Sequence, residues 1–171
     1  MPVGGYDIWR ICRHQELKPA QFLVAYRIPE DRPNGFLLDA NGYKRELALD
    51  KRRSPFRLDE PCVFLQEAPT GGVECGIYAD RPGACRVYPA SPDSTLLRED
   101  SLCPPGAWPD GEFAQPAWRM ALEQLQSRND EYREVVERWN TRVKADPTAS
   151  LTVDDFVAHV LEVYDALAAC E

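Results

Sequence analysis

The sequence predicts an α+β fold that is mainly helical, and three observations lead to this class. Apolar residues recur at helical spacing near the N-terminus and through the last third of the chain. Between these regions, Asn41-Gly42 separates two apolar runs, which indicates a β-hairpin. The stretch 54–116 is rich in Pro and Gly and has no long periodic run. The predicted order is therefore short N-terminal helices, a β-hairpin, an irregular Cys/Pro/Gly-rich segment and C-terminal helices.

Two short helices are predicted near the N-terminus. Asp7 is placed to cap the first, in which Ile8, Ile11 and Cys12 follow i, i+3 and i+4 spacing. A second helix is predicted over 20–26, because the proline that precedes it is well tolerated in a first helical turn.

The hairpin prediction rests on a two-residue turn. The runs 35–40 and 43–49 flank Asn41-Gly42, and a type I′ turn requires positive φ at both central positions, which Asn and Gly adopt most readily. We therefore expect the two runs to pair directly across this turn.

The C-terminal third is predicted to be helical, because apolar side chains recur there mostly at three- and four-residue steps. They are Trp118, Leu122, Leu125, Tyr132, Val136, Trp139 and Val143. The residues 127–130 are a candidate break, and Asp146-Pro147 is expected to end this region. Thr152 then caps a last helix, with Asp155 completing a capping box.

The chain is expected to divide into a cysteine-containing domain at 1–110 and a C-terminal helical extension at 111–171 that packs on it. With 171 residues the chain is long enough to bury a stable hydrophobic core without disulfide bonds. Its six cysteines therefore call for another explanation.

Charge and hydropathy narrow the classes of function. The formal net charge of -8 argues against a broad surface for nucleic acid or anionic membrane, since both would repel the chain. No apolar run is long enough for a transmembrane helix, and charged residues interrupt the position of a secretory signal. We expect a cytoplasmic protein, in which reduced cysteines favour metal or redox chemistry over structural disulfides.

Four of the cysteines fall in the irregular segment. Cys62, Cys75, Cys85 and Cys103 have the spacing C-x12-C-x9-C-x17-C. Four thiolates suffice for a tetrahedral zinc site or an iron–sulfur cluster. Tight C-x2-4-C pairs are absent, so spacing alone leaves open both a metal site and four unrelated buried cysteines.

The remaining candidate residues favour structural roles. Cys12 lies on the apolar face of a predicted helix, and Cys170 is next to the C-terminus. His14 and His159 have no partner at ligand spacing. Because the sequence also contains no recognisable phosphate loop, nucleophile elbow or H-E-x-x-H motif, we identify no catalytic set.

Several short runs stand out around the cysteines. They are C-V-F-L at 62–65, C-G-I-Y at 75–78, R-P at 81–82 and C-R-V-Y-P at 85–89, preceded by D-I-W-R-I at 7–11 and P-A-Q-F at 19–22. Together these runs resemble the CxxCxxCC family of zinc- or iron-chelating domains. The resemblance covers about 2–103 and implies an iron–sulfur cluster or zinc held by Cys62, Cys75, Cys85 and Cys103.

One departure from the family pattern concerns the number of ligands. The family's C-x-x-C-x-x-C-C motif normally precedes the D-I-x-R-I helix, and it does not occur in this sequence. Either the start is drawn too late, or this member keeps only the second half of the cluster. In-frame codons for a cysteine-rich segment ahead of Met1 would support the first interpretation.

Three functions remain open. The first is a metal-binding protein without a catalytic set. The second is a cluster-dependent transferase, since a similar cysteine module occurs in flagellin lysine N-methylase, although no methyl-donor motif is recognisable. The third is a non-enzymatic interaction module that binds a protein partner through its C-terminal helices, which would require an exposed apolar face over 118–143.

Overall fold

The computed structural model describes residues 1–52, 60–69, 71–88 and 115–170, without the side chains of 115–117. This part of the chain contains four helices and two small antiparallel sheets, which confirms the α+β, mainly α class. In chain order the elements are α1 (Gly5–His14), β1 (Leu23–Arg27), β2 (Arg45–Leu49), β3 (Leu65–Glu67), β4 (Val73–Cys75), α2 (Gly83–Val87), α3 (Gln115–Ala145) and α4 (Val153–Ala168). One sheet pairs β1 with β2, and the other pairs β3 with β4.

The first predicted helix is confirmed as α1, and its apolar face lies in the core. Ile8 and Ile11 are fully buried, as the helical spacing requires. The predicted cap is wrong, because Gly4 occupies the N-cap and Asp7 lies inside the first turn. The Asp7 carboxylate is thereby left to bind another part of the chain.

The helix predicted over 20–26 is wrong. The proline opens only a single 3-10 turn, Pro19–Gln21, after which the chain becomes the strand β1. This strand pairs antiparallel with β2 from Leu23 opposite Leu49 to Arg27 opposite Arg45. Pairing with a distant segment has overridden the local helical pattern.

The hairpin is only partly as predicted. The strand predicted over 43–49 is present as β2, and Phe36 exchanges two backbone hydrogen bonds of 2.9 Å with Arg45. The type I′ turn is wrong, because neither Asn41 nor Gly42 has positive φ. Instead, the Asp39 carboxylate accepts the Asn41 N–H at 3.1 Å, while its carbonyl accepts the Gly42 N–H at 3.2 Å.

Contacts to α3 explain why the chain does not form a tight turn here. The Leu37 carbonyl accepts a buried hydrogen bond of 2.7 Å from Trp139 Nε1. Asn140 accepts the Leu37 N–H at 2.8 Å and donates to the Gly35 carbonyl at 2.9 Å. The backbone groups of 35–37 therefore bind a helix more than 100 residues later in the chain.

The strands β3 and β4 form a second, shorter hairpin, whose last residue is Cys75. Gly71 and Gly72 have φ of +84° and +87°, a conformation that other residues rarely adopt. The Ala68 N–H donates to the Gly72 carbonyl at 3.1 Å. The hairpin brings β4 back against β3, with Cys75 opposite Leu65.

The C-terminal helices form one side of the core. The helix α3 is continuous through 127–130, so the candidate break there is wrong. The predicted capping box of α4 is confirmed, with Asp155 N–H donating to Thr152 Oγ1 at 3.2 Å and Thr152 N–H to Asp155 Oδ2 at 2.8 Å. Buried side chains on the two helices are Tyr132, Val135, Val136, Trp139, Val143, Phe156, Val157, Val160 and Tyr164.

Within the described ranges, no helix combines the length and apolar character needed to cross a bilayer.

Candidate metal centre

Three of the four predicted ligands lie in the described chain, and each is held by a different segment. Cys62 forms an isolated antiparallel bridge with Lys51, just beyond the end of β2. Cys75 is the last residue of β4, and Cys85 lies in the middle of α2. Cys103 lies outside the described residues.

The three thiols share one neighbourhood. Burial is the largest of the effects that raise the pKa of the Cys85 thiol to about 11, and the neighbouring Cys62, Asp7 and Cys75 add to it. Such effects require Cys62 and Cys75 each to lie within electrostatic range of Cys85. The structure thus brings together residues that are up to 23 positions apart in sequence, from Cys62 to Cys85.

The thiols are free and half-buried, and they are not drawn into coordination distance. None of Cys62, Cys75 and Cys85 forms a disulfide. Among the residues that the structure describes, no three His, Cys, Asp or Glu side chains are close enough to hold an ion as they stand. Electrostatic effects reach further than the metal–sulfur bond of about 2.3 Å. The cysteines therefore converge without closing around a common point.

The N-terminal amine also faces this neighbourhood. The Met1 carbonyl accepts the Leu49 N–H at 3.0 Å, which places the first residue along β2. The positive charge of the amine lowers the pKa of Cys85, against the larger effect of burial.

Two side chains of α1 bind the segment that carries Cys85. The Asp7 carboxylate accepts the Gly83 N–H, with its two oxygens at 3.1 and 3.2 Å. Arg10 Nη2 donates to the carbonyls of Asp80 and Arg81 at 3.1 and 2.8 Å. We call Asp7 and Arg10 the latch, because together they tie the turn at 80–83 to α1.

Asp80 completes this connection from the loop side. Its side chain is buried and contacts His14 Nδ1 at 2.9 Å and Gln15 Nε2 at 2.7 Å. Burial alone would raise the pKa of Asp80, but the hydrogen bonds from His14 and Gln15 outweigh it and lower the pKa. The carboxylate is therefore charged at neutral pH and holds the C-terminal end of α1 against the loop.

Removing the latch arginine should loosen the cysteine loop while leaving the fold in place. For Arg10→Met we expect a loss of about 2–3 kcal/mol in the free energy of unfolding, since hydrogen bonds from a charged donor to half-buried carbonyls disappear. Urea denaturation measures this loss. We also expect faster alkylation of Cys85, read by mass spectrometry of the labelled peptide.

The matched control is Arg13→Met on the same helix. Arg13 pairs with Asp165 on the surface, where both side chains are about half exposed. Exposed pairs contribute little, about 1 kcal/mol at most. Equal effects of the two substitutions on Cys85 alkylation would contradict the latch.

The other predicted residues occupy the structural positions expected of them. Cys12 is half-buried against the core and Cys170 is exposed. The latch itself was not predicted from sequence, where Asp7 was assigned to a helix cap. The only signal was the D-I-W-R-I pattern, which places Asp7 and Arg10 one turn apart on a single helix face.

These observations define a protein with a thiol-rich site held between a hairpin, a short helix and the N-terminal helix. Residues 29–104 match the model of the CxxCxxCC family, described as "Putative zinc- or iron-chelating domain". The match confirms the family recognised from the sequence over a segment that includes all four predicted ligands and amounts to somewhat less than half of the chain. No curated protein and no solved structure matches the chain.

Proposed function

We propose that this chain is a metal-binding protein that holds an iron–sulfur cluster or zinc through Cys62, Cys75, Cys85 and Cys103. The observation that carries the proposal is the convergence of three free thiols from three separate segments. The description of the matched family supports metal chelation in general terms.

The donor set fits a soft metal. Thiolates favour zinc and iron–sulfur clusters over magnesium or calcium, which prefer oxygen. Because the pKa of Cys85 is raised to about 11, this thiol is protonated at neutral pH and releases its proton when it binds metal. A bound cation would also offset the repulsion among three neighbouring thiolates.

A fourth ligand is available from Cys103, which belongs to the predicted set. It would let the thiols draw together around one centre.

The proposal includes the division into a cysteine-containing part, 1–110, and a helical part, 111–171. In support, α3 packs against both α1 and α2, so the long helix contacts the elements that hold the site. The proposal also includes a cytoplasmic location, where thiol ligands stay reduced.

An interaction module that docks through the apolar face of α3 has less support. The side chains of Tyr132, Val136, Trp139 and Val143 are all at most 2% exposed. These four side chains pack against α1, α4 and the 35–37 segment and offer no surface to a partner. Nearer the start of α3, the side chains of Trp118, Leu122 and Leu125 are half-buried.

The test of the proposed function is elemental analysis of the full chain purified without oxygen. Iron and zinc are measured per chain together with acid-labile sulfide. Iron with matching sulfide establishes a cluster, and zinc alone establishes a structural metal site. Substoichiometric amounts of both metals, even after anaerobic reconstitution with iron and sulfide or with zinc, would contradict the proposal for this chain.

A further inference from the structure

A cleft of mixed polar and apolar lining lies beside α2, between α1 and the N-terminal half of α3. Its volume is about 530 Å³, within the usual range for small-molecule sites. The residues of α1 and α2 that line it include the latch and Gly83, and those of α3 include Gln124, Ser127, Arg128 and Asn129. No role in the proposed metal centre requires this space.

Three guanidinium groups, of Arg10, Arg86 and Arg128, line the cleft beside apolar surface from Ala121 and Leu125. Among the described residues of the lining, Asp7 contributes the one carboxylate. Asp7 accepts the Gly83 N–H, and its Oδ1 lies 3.4 Å from Arg10 Nη2. Arg86 Nε and Nη2 donate to the carbonyls of Arg81 and Ala79. The guanidinium nitrogens that remain, chiefly on Arg128 and Arg10, are the donors that a ligand in the cleft would meet.

One of these donors is buried without a hydrogen bond. Arg10 Nε has no hydrogen-bond partner within the described part of the chain, and Asp80 Oδ1 lies 3.8 Å away. A buried polar group without a partner is unfavourable, and each such group calls for an explanation. Arg10 itself lines the cleft, so a water or ligand bound there lies close to this group.

The third arginine is held in place by an aromatic ring. The guanidinium carbon of Arg128 lies 3.9 Å from the centroid of the Tyr6 ring, and that of Arg10 lies 5.5 Å from the same ring. Arg128 also pairs with Glu131 at 3.1 Å on the next helical turn. Stacking fixes the plane of a guanidinium group and prepares it to bind an oxyanion through two parallel hydrogen bonds.

We propose that this cleft binds a small anionic ligand that carries a carboxylate or phosphate group. Arginine forks match the geometry of both groups, and the amide and hydroxyl side chains on α3 provide further hydrogen bonds to the remainder of the ligand. Because Gly83 and Arg86 flank Cys85 on α2, the ligand would lie next to the thiol-bearing helix. The site does not depend on the identity of the metal, or on metal being bound.

The test is a titration of the isotopically labelled full chain, followed by NMR, with succinate and inorganic phosphate as separate probes. We expect saturable shifts of the backbone amides of Gly83, Ser127 and Asn129. In Arg128→Gln, binding should weaken at least about tenfold, which corresponds to one charge-assisted hydrogen bond. The matched control is Arg138→Gln, which removes an arginine of the same helix that also pairs with a glutamate but is exposed and remote from the cleft.

A second variant protects the test against an effect of Arg128 on folding. Gln124→Glu places a carboxylate at the exposed mouth of the cleft and should weaken both probes. Saturation by phosphate alone or by succinate alone identifies the anion class and supports the proposal. The proposal is overturned if neither probe saturates below about 10 mM, or if Arg128→Gln and Gln124→Glu bind as tightly as Arg138→Gln.

Discussion

Replacing Cys85 with serine is expected to remove most of the bound metal. Structural zinc in small thiolate sites contributes roughly 10–16 kcal/mol, so the loss of one of four ligands costs on the order of 3 kcal/mol, or more than about a hundredfold in Kd. Serine keeps the size of the side chain but does not supply a thiolate. The measurement is iron, zinc and sulfide per chain in protein purified without oxygen.

The control for this substitution is Cys170→Ser. Cys170 is exposed at the end of α4 and is not among the thiols that affect Cys85. Circular dichroism of both variants in the metal-free state shows whether the fold is retained. Wild-type metal content in Cys85→Ser would exclude Cys85 as a ligand and would remove the central argument for the site.

Cys85 is the most informative of the proposed ligands because the structure holds its backbone from two sides. Asp7 and Arg10 fix the turn that precedes α2, and Gly83 lets that helix approach α3 closely. A Cβ at Gly83 would lie 3.0 Å from Leu125 Cδ1. These constraints set the direction from which the Cys85 thiol meets Cys62 and Cys75, so a metal would find one ligand already placed.

The sequence predicted the composition of the candidate site better than its geometry. The resemblance to the CxxCxxCC family indicated Cys62, Cys75 and Cys85, which the spacing alone had left open. The structure places Cys62 and Cys75 near Cys85, while the role of all four cysteines as ligands stays a prediction. The latch could not be derived, because Asp7 and Gly83 are 76 positions apart. Spacing patterns describe neighbours on one helix or strand and carry no information on such distant pairs.

The difference between local patterns and distant contacts also explains which helices and strands were predicted correctly. The sequence predicted the helices α1, α3 and α4 because their signals are local. All three have apolar periodicity, α4 begins with a capping box, and a proline follows the end of α3. The strand β1 depends on pairing with β2 about 20 residues later, and the Asn41-Gly42 region is shaped by Trp139 and Asn140. In both cases a distant partner decided the conformation.

The second large effect is expected at the crossing of α1 with the two C-terminal helices. Gly5 is buried there, and an added Cβ would lie 2.9 Å from Tyr132 Cδ2 and 3.0 Å from Tyr164 Cζ, with Tyr164 Cε2 closer still. Both rings are at most 2% exposed and belong to different helices. Neither ring can move away without disturbing the packing around it.

We therefore expect Gly5→Ala to lower the free energy of unfolding by about 1–3 kcal/mol, the usual cost of overpacking a well-filled core. Urea denaturation measures this cost, and Gly4→Ala is the matched control. Among the described residues, a Cβ at Gly4 meets Asn129 Oδ1 alone, at 3.9 Å. Gly4→Ala therefore reduces the freedom of the unfolded chain in the same way but lacks the clash. Because Gly4 is the N-cap of α1, the control carries the small cost of alanine at that position. Equal midpoints for the two variants would show that α1 can shift away from Tyr132 and Tyr164. Such a shift would also move Asp7 and Arg10, which lie on the same helix. The latch would then restrain the position of the Cys85 loop less tightly than its hydrogen-bond distances suggest.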